Sequence, residues 1–362
     1  MTPTRLQAMV KGGQEIRERS LRGLDLRGLD LSGGLFAHSD FTGVELEGAN
    51  LEGSVFDECR FEGAALGSAN LADCVFNACE AADAGLDDAV LRDVTFHRCD
   101  LSGASMQRVD AGVASFDHCA LDGASLRGAV SESLIFYGCT LERTDFTGTA
   151  LPKATFYQAD LRTAVFAGCD FDKAIFTECD LSGQVLRGLR FESCQFTDAD
   201  LRHCDFEGAS LARCNFKGAL MEGANLRRVQ AQQCLFPFVQ FAGAACTAGV
   251  FTQSIWIDAK LEKADFSSAD LEQCIFHRAR CGEARFTQAR LTYADFSYAD
   301  LHDADFHGAT LMRTKVHRAL LEGTRIPDRG GLLANEPELF AAEEFSARRR
   351  FEPLTTTKRG SS

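Results

Sequence analysis

The fifteen cysteines are the residues of this 362-residue chain most able to do chemistry, as metal ligands, redox pairs or nucleophiles. They contain no CxxC pair, and five of them recur at intervals of 20: Cys59, Cys79, Cys99, Cys119 and Cys139. If these five side chains lie parallel to one another inside a filled core, their thiols act as small apolar residues of a protein in a reducing compartment. We expect that role, with a metal-binding or redox-active ladder as the alternative.

The eight histidines are scattered along the chain: His38, His97, His118, His203, His277, His302, His307 and His317. If the chain is arranged in coils of 20 residues, no two of these histidines lie on one side in neighbouring coils. We therefore expect them to be solvated surface residues. The sequence has no phosphate-binding loop, nucleophile elbow or zinc-ligand spacing. We therefore expect no catalytic residue, no cofactor and no metal site, and a protein that is not an enzyme.

An internal repeat of five residues explains the cysteine spacing. Every fifth position from Ile16 to Ile326 is apolar, with Ser131 the only polar exception, and a small residue lies two places earlier. Thirteen cysteines occupy that small position, while Cys246 and Cys281 replace large residues. A helix needs periods of three and four and a flat strand a period of two. A period of five instead predicts a chain that turns a corner at every unit.

The units often read Ala-Asn-Leu, as at 49–51, or Ala-Asp-Leu, as at 159–161. This A(D/N)LXX pattern resembles the pentapeptide-repeat family. The resemblance implies an all-β fold, a right-handed quadrilateral β-helix with four units per coil and about sixteen coils. Side-chain types support four units independently, because Phe recurs every 20 residues from Phe36 to Phe296, with Trp256 in one place.

The repeat also predicts the organisation of the chain. We expect an N-terminal cap over 1–15, the β-helix over 16–326, a turn and a capping helix over 327–353, and a flexible tail over 354–362. The second helix would use Leu339, Phe340, Phe345 and Phe351 either to cap the last coil of a monomer or to pair two copies in a dimer. No signal peptide or stretch long enough to span a membrane is recognisable, which favours a cytoplasmic protein.

Acidic residues dominate the charge. The net charge of −14 argues against direct nucleic-acid binding. The segment from Asp40 to Asp100 contains 14 acidic residues and only three arginines. This segment is either a solubilising surface or an acidic face that attracts a basic partner. The candidate acidic face comprises Glu45, Glu47, Glu52, Asp57, Glu58, Glu62, Asp83, Asp87 and Asp88.

Apolar residues also occupy outward positions beside the Phe column. The candidate partner-binding residues are Leu235, Phe238, Ile255, Ile257, Ile275, Tyr137 and Tyr157. Either such residues simply suit a strand edge, or they form a docking stripe. Pro237 and Phe238 are expected to interrupt the rod within it.

The resemblance implies two functions. Long pentapeptide-repeat proteins encoded beside bacterial type VI secretion spikes and effectors have a similar N-terminal entry to residues 21–33 here, and act as accessory or adaptor proteins. The quinolone-resistance branch mimics DNA and binds gyrase. Because the acidity is confined to one third of a long rod, we expect a non-catalytic scaffold that binds a spike or effector protein in the bacterial cytoplasm. The DNA-mimicking gyrase or topoisomerase binder is the alternative.

Overall fold

The computed structural model describes residues 1–348, which form a solenoid of short parallel strands between two helices. Phe351 and the predicted tail at 354–362 lie outside the described residues. The elements are α1 (Pro3–Lys11), β1 (Ile16–Arg17), β2 (Leu35–Ala37), β3 (Val55–Asp57), β4 (Val75–Asn77), β5 (Thr95–His97), β6 (Asp110–Asp117), β7 (Val130–Tyr137), β8 (Thr155–Tyr157), β9 (Asp170–Asp172), β10 (Ile175–Thr177), β11 (Arg190–Glu192), β12 (Thr314–Lys315), β13 (Leu332–Leu333) and α2 (Pro337–Arg348).

Parallel pairing between residues 20 apart defines four sides. On one side, the Phe side, β1 to β8 and β10 form one nine-stranded sheet. On the other three sides, columns of isolated parallel bridges begin at Ser20, Asp25 and Asp30 and continue along the rod. The predicted β-solenoid of about sixteen coils with short helical caps is confirmed.

Each five-residue unit has an outward residue, a large inward residue, two turn residues and a small inward residue. In the unit 235–239 these are Leu235, Phe236, Pro237, Phe238 and Val239. A hydrogen bond from the Val239 N–H to the Phe236 carbonyl closes the corner at 3.4 Å. The second turn residue adopts the left-handed conformation (φ +60° at Phe238), which explains why glycine and polar residues prevail there.

The large and small inward residues fill the interior completely. One apolar cluster runs from Leu6 to Val316. The stacked phenylalanine rings of the Phe side form a continuous column within it, the Phe column. Successive rings in this column are nearly parallel, with centroids 3.9 Å apart for Phe236–Trp256 and 6.0 Å apart for Trp256–Phe276. Each stacked pair adds about 0.5–1.5 kcal/mol beyond burial. A coil is therefore stabilised mainly by the coils above and below it.

The single polar residue of the period marks a local irregularity. Ser131 lies at the register shift between β6 and β7, where it pairs with Gly112 instead of a residue 20 places away. Here β6 and β7 each continue from one side of the coil around the corner onto the Phe side, which makes them eight residues long. The Ser131 hydroxyl donates to the Ala150 carbonyl at 3.0 Å, so the buried polar group is satisfied.

Pro237 does not interrupt the rod, which corrects the sequence-based expectation. Leu235 and Ile255 still pair across neighbouring coils, and the Phe238 N–H donates to the Ile257 carbonyl at 3.0 Å. One coil earlier, the N–H at the first turn position, that of Lys217, donates to a side chain and not to the ladder. Proline at this position therefore costs no ladder hydrogen bond.

Both ends of the described solenoid carry a helix. In α1, the Arg5 N–H donates to the Thr2 hydroxyl, Pro3 begins the helix, and Leu6 and Val10 are buried against the first coil. Within residues 1–348, neither helix has the length and apolar character needed to cross a membrane.

Helix α2 is attached to the last coils by polar contacts. Glu343 accepts hydrogen bonds from Tyr298, Arg318 and His317. His317 is buried, with its Nδ1 accepting the Glu336 N–H at 3.1 Å, so the expectation of a solvated surface residue was wrong at this position. The sequence could not indicate this, because the burial depends on α2 folding back over the coil.

Candidate interaction surface

The cysteines serve the core as small hydrogen-bond donors. The thiols of Cys79, Cys99 and Cys119 each donate at 3.4 Å to the backbone carbonyl 23 residues earlier. Ser39 and Thr144 occupy the same small inward position and donate to the equivalent carbonyl at 3.0 and 2.9 Å. The position therefore accommodates a small donor at the corner in place of the more common alanine, and all fifteen cysteines are buried and unpaired by disulfides.

We expect these thiols to be unreactive in the folded chain. All fifteen are buried, which keeps a reagent away from them, and burial also raises the pKa of Cys74, Cys169 and Cys204 to about 12, so the nucleophilic thiolate of these three is scarce near neutral pH. A chromogenic disulfide reagent at pH 8 should label the native chain at least a hundredfold more slowly than the chain in guanidinium, where all fifteen thiols should react. Rapid labelling of the native chain would contradict this structural role.

Two histidines lie on one side in neighbouring coils, contrary to the sequence-based expectation. His97 Nδ1 is 2.7 Å from one oxygen of Asp117, and His118 Nδ1 is 2.6 Å from the other. The hydrogen bonds from His118 and then His97 lower the pKa of Asp117. The two histidines occupy different turn positions, so a comparison of equivalent positions alone misses them. Both oxygens of the shared carboxylate are thereby occupied.

The candidate docking residues fall into two groups on the Phe side. Leu235, Ile255 and Ile275 pair in three consecutive coils, and Phe238 and Ile257 lie beside them. Leu235 is 40% exposed and Phe238 52% exposed, while the three isoleucines are half-buried. Four of these five residues are aliphatic and Phe238 is aromatic, and we call the five together the aliphatic patch.

Tyr137 and Tyr157 form a separate pair several coils away. Their rings are parallel, with an interplanar angle of 1° and centroids 5.4 Å apart. Polar residues such as Gln195, Asn215 and Lys217 lie between this pair and the aliphatic patch. The structure thus divides the predicted stripe into two separate groups of residues.

The nine acidic residues surround the rod. Their distribution over the four sides follows from the 20-residue coil: Asp57 and Glu58 on the Phe side, Glu62 and Asp83 on the next, Glu45, Glu47, Asp87 and Asp88 on the third, and Glu52 on the fourth. They form an acidic belt that presents charge in every direction. Arginines neutralise part of it, as in the pair of Arg108 with Asp88 at 2.7 Å.

Two exposed valines on another side are not among the predicted docking residues. Val165 and Val185 are 41% and 68% exposed at outward positions of the third side. Both break the polar pattern of outward residues, which is a signal that the sequence carries outside the column beside the phenylalanines.

Comparison with known families supports the repeat assignment. A family model described as a pentapeptide repeat region matches residues 31–106 and 249–326. A second, described as pentapeptide repeats in eight copies, matches overlapping segments from 114 to 236. Together the two models match most of the chain. No curated protein sequence matches it.

Several solved pentapeptide-repeat structures are similar to the chain. HetL, involved in heterocyst differentiation regulation in the cyanobacterium Nostoc sp. strain PCC 7120, is 18% identical, with 91% of this chain and 98% of HetL covered and a TM-score of 0.26. QnrB1, a plasmid-mediated fluoroquinolone resistance protein, is 20% identical, with 60% and 97% covered and a TM-score of 0.34. TM-scores this low do not support an inference about function from these structures.

Proposed function

The chain belongs to the pentapeptide-repeat family, and on that premise we propose that it is a non-catalytic scaffold that binds another protein through its outer surface. The aliphatic patch, in which five apolar side chains lie together on one side of the rod, is the observation that carries this proposal. The interior is filled by stacked side chains, so a ligand or partner meets only the outside of the solenoid.

The patch has the composition of a protein-binding site. Its aliphatic centre is bordered on one edge by stacked amides, in which Gln233 donates to Gln253 at 2.9 Å and Gln253 to Gln273 at 3.1 Å. On the other edge Arg278 forms an ion pair with Asp258 at 2.8 Å. An apolar centre with a polar, internally satisfied rim is typical of protein interfaces.

Phe238 strengthens this interpretation. It occupies the second turn position with φ +60°, a conformation that is unfavourable for a bulky residue, and half of its side chain faces solvent. Neither core packing nor solubility favours phenylalanine there. Contact with a partner would supply the burial that the folded chain alone does not.

We place the protein in the bacterial cytoplasm as an accessory or adaptor of type VI secretion, with a spike or effector protein as its partner. The alternative is a DNA-mimicking protein that binds gyrase. The acidic belt favours that alternative, because its charge surrounds the rod as phosphates surround duplex DNA. The aliphatic patch favours the first proposal, because exposed apolar side chains do not reproduce the charged surface of DNA.

Two substitutions in the patch test the proposal. Phe238→Asp combined with Ile257→Asp should leave the circular dichroism spectrum unchanged and weaken binding of a purified type VI spike or effector protein at least a hundredfold in surface plasmon resonance. Val165→Asp combined with Val185→Asp, which adds the same two charges to exposed apolar residues on another side, should bind as the wild type does. Equal binding by the patch variant would refute the role of the patch.

A gyrase supercoiling assay separates the two functions. We expect no inhibition and no drug protection at near-stoichiometric protein. Inhibition that survives the Phe238→Asp/Ile257→Asp change would favour the DNA-mimicking alternative.

A further inference from the structure

His38, Asp57 and Glu58 bring a mixed set of metal-ligating groups together near the N-terminal end of the Phe side. One ligand atom from each of the three lies within 4.8 Å of the other two. His38 Nδ1 is 3.2 Å from a carboxylate oxygen of Glu58. The sequence shows no conventional metal motif, because His38 lies one coil, and not a few residues, before its partners.

The solenoid itself creates this cluster. His38 and Glu58 are the second turn residues of consecutive coils, both with φ +48°, and therefore stack one above the other. Asp57 precedes Glu58 at the first turn position. The Asn77 side-chain amide donates to one Asp57 oxygen at 2.5 Å, which orients the carboxylate and leaves its second oxygen available.

Small neighbours leave the cluster open on both flanks. Ala78, next above Glu58, lines a depression of about 410 Å³ together with His38 and Glu58. Ala37, next below Asp57, lines a second depression of about 270 Å³ on which Asp57 also borders. Long side chains at these two positions would cover the three groups, so an ion and its remaining water ligands have room to enter.

We infer that His38, Asp57 and Glu58 form a surface site for a divalent transition-metal ion of the Zn²⁺ class. An imidazole nitrogen with two carboxylate oxygens suits Zn²⁺, whereas Ca²⁺ and Mg²⁺ prefer oxygen ligands alone. Bond lengths of about 2.0–2.2 Å in a tetrahedral site put ligand atoms about 3.3 Å apart. The spacing present therefore requires only small side-chain rotations, and water completes the coordination.

The arrangement at His97, Asp117 and His118 shows why the first cluster stands out. There both carboxylate oxygens already accept hydrogen bonds from imidazoles, and one carboxylate serves two histidines. At the proposed site two carboxylates face one imidazole, which leaves an excess of negative charge. Binding of a dication there would join two coils across a corner of the rod.

Calorimetric titration of the full chain with Zn²⁺ at pH 7.5 tests this inference. We expect one equivalent to bind, and His38→Gln and Glu58→Gln each to weaken binding at least tenfold. Glutamine occupies the same turn position at Gln233 and Gln253, so these variants should fold. His118→Gln, the same change at the same turn position of a later coil, is the matched control and should bind normally.

Co²⁺ absorption identifies the ligands independently. We expect a d–d spectrum without a thiolate charge-transfer band, because the proposed ligands are nitrogen and oxygen. A thiolate band would assign the metal to the cysteines and overturn the inference. So would the absence of saturable one-to-one binding, or His38→Gln binding as tightly as the wild type.

Discussion

Replacing Phe196 by Ala should lower the free energy of unfolding by about 3–5 kcal/mol. The Phe196 side chain is fully buried, and its ring stacks on Phe176 at 4.9 Å and on Phe216 at 5.0 Å. The substitution therefore leaves a cavity and also breaks two stacked pairs in the middle of the column. Urea denaturation followed by circular dichroism gives the change.

The control for this variant lies one residue away. Thr197→Ala removes a half-buried side chain at the first turn position of the same coil and should change the free energy of unfolding by less than about 0.5 kcal/mol. Similar values for the two variants would mean that the Phe column does not stabilise the rod as described.

Leu6→Asp should convert the chain into a self-associating species. Leu6 is fully buried where α1 covers the first coil, and a carboxylate there would lose about 1.5–3 kcal/mol of apolar burial and would also have to be desolvated. The helix should undock and expose the apolar end of the core and the free edge of β1. Exposed strand edges pair with other chains, so size-exclusion chromatography with light scattering should show association that increases with concentration.

Ala8→Asp tests whether the position or the charge is responsible. Ala8 lies in the same helix and is exposed, so this variant should elute as the wild type does. Elution of Leu6→Asp at the wild-type position and mass would show that α1 does not protect the end of the solenoid.

The coil could be derived from the sequence because each inward position carries its own signal. Large residues at every fifth position and Phe at every twentieth determine which side chains face inward and which coils stack. Ser131 shows the limit of this reasoning, since one polar residue cannot reveal that β6 and β7 continue around a corner. The tolerance of Pro237 likewise depends on a hydrogen-bond pattern visible only in the folded coil.

The surface was less predictable, because it depends on which turn positions approach one another across coils. His97 and His118 are 21 residues apart and share Asp117, a relation that a strict 20-residue comparison overlooks. The acidic residues are close in sequence, yet the coil distributes them over four sides. His317 is buried by a helix whose docking has no repeat to predict it.

Hydrogen–deuterium exchange of the full chain, alone and with a saturating type VI spike or effector protein, tests most directly whether the aliphatic patch is the contact surface. We predict slower exchange of peptides covering 235–238 and 255–257, with the core amides unchanged. Binding accompanied by protection only in the acidic belt, between residues 45 and 88, would contradict the account.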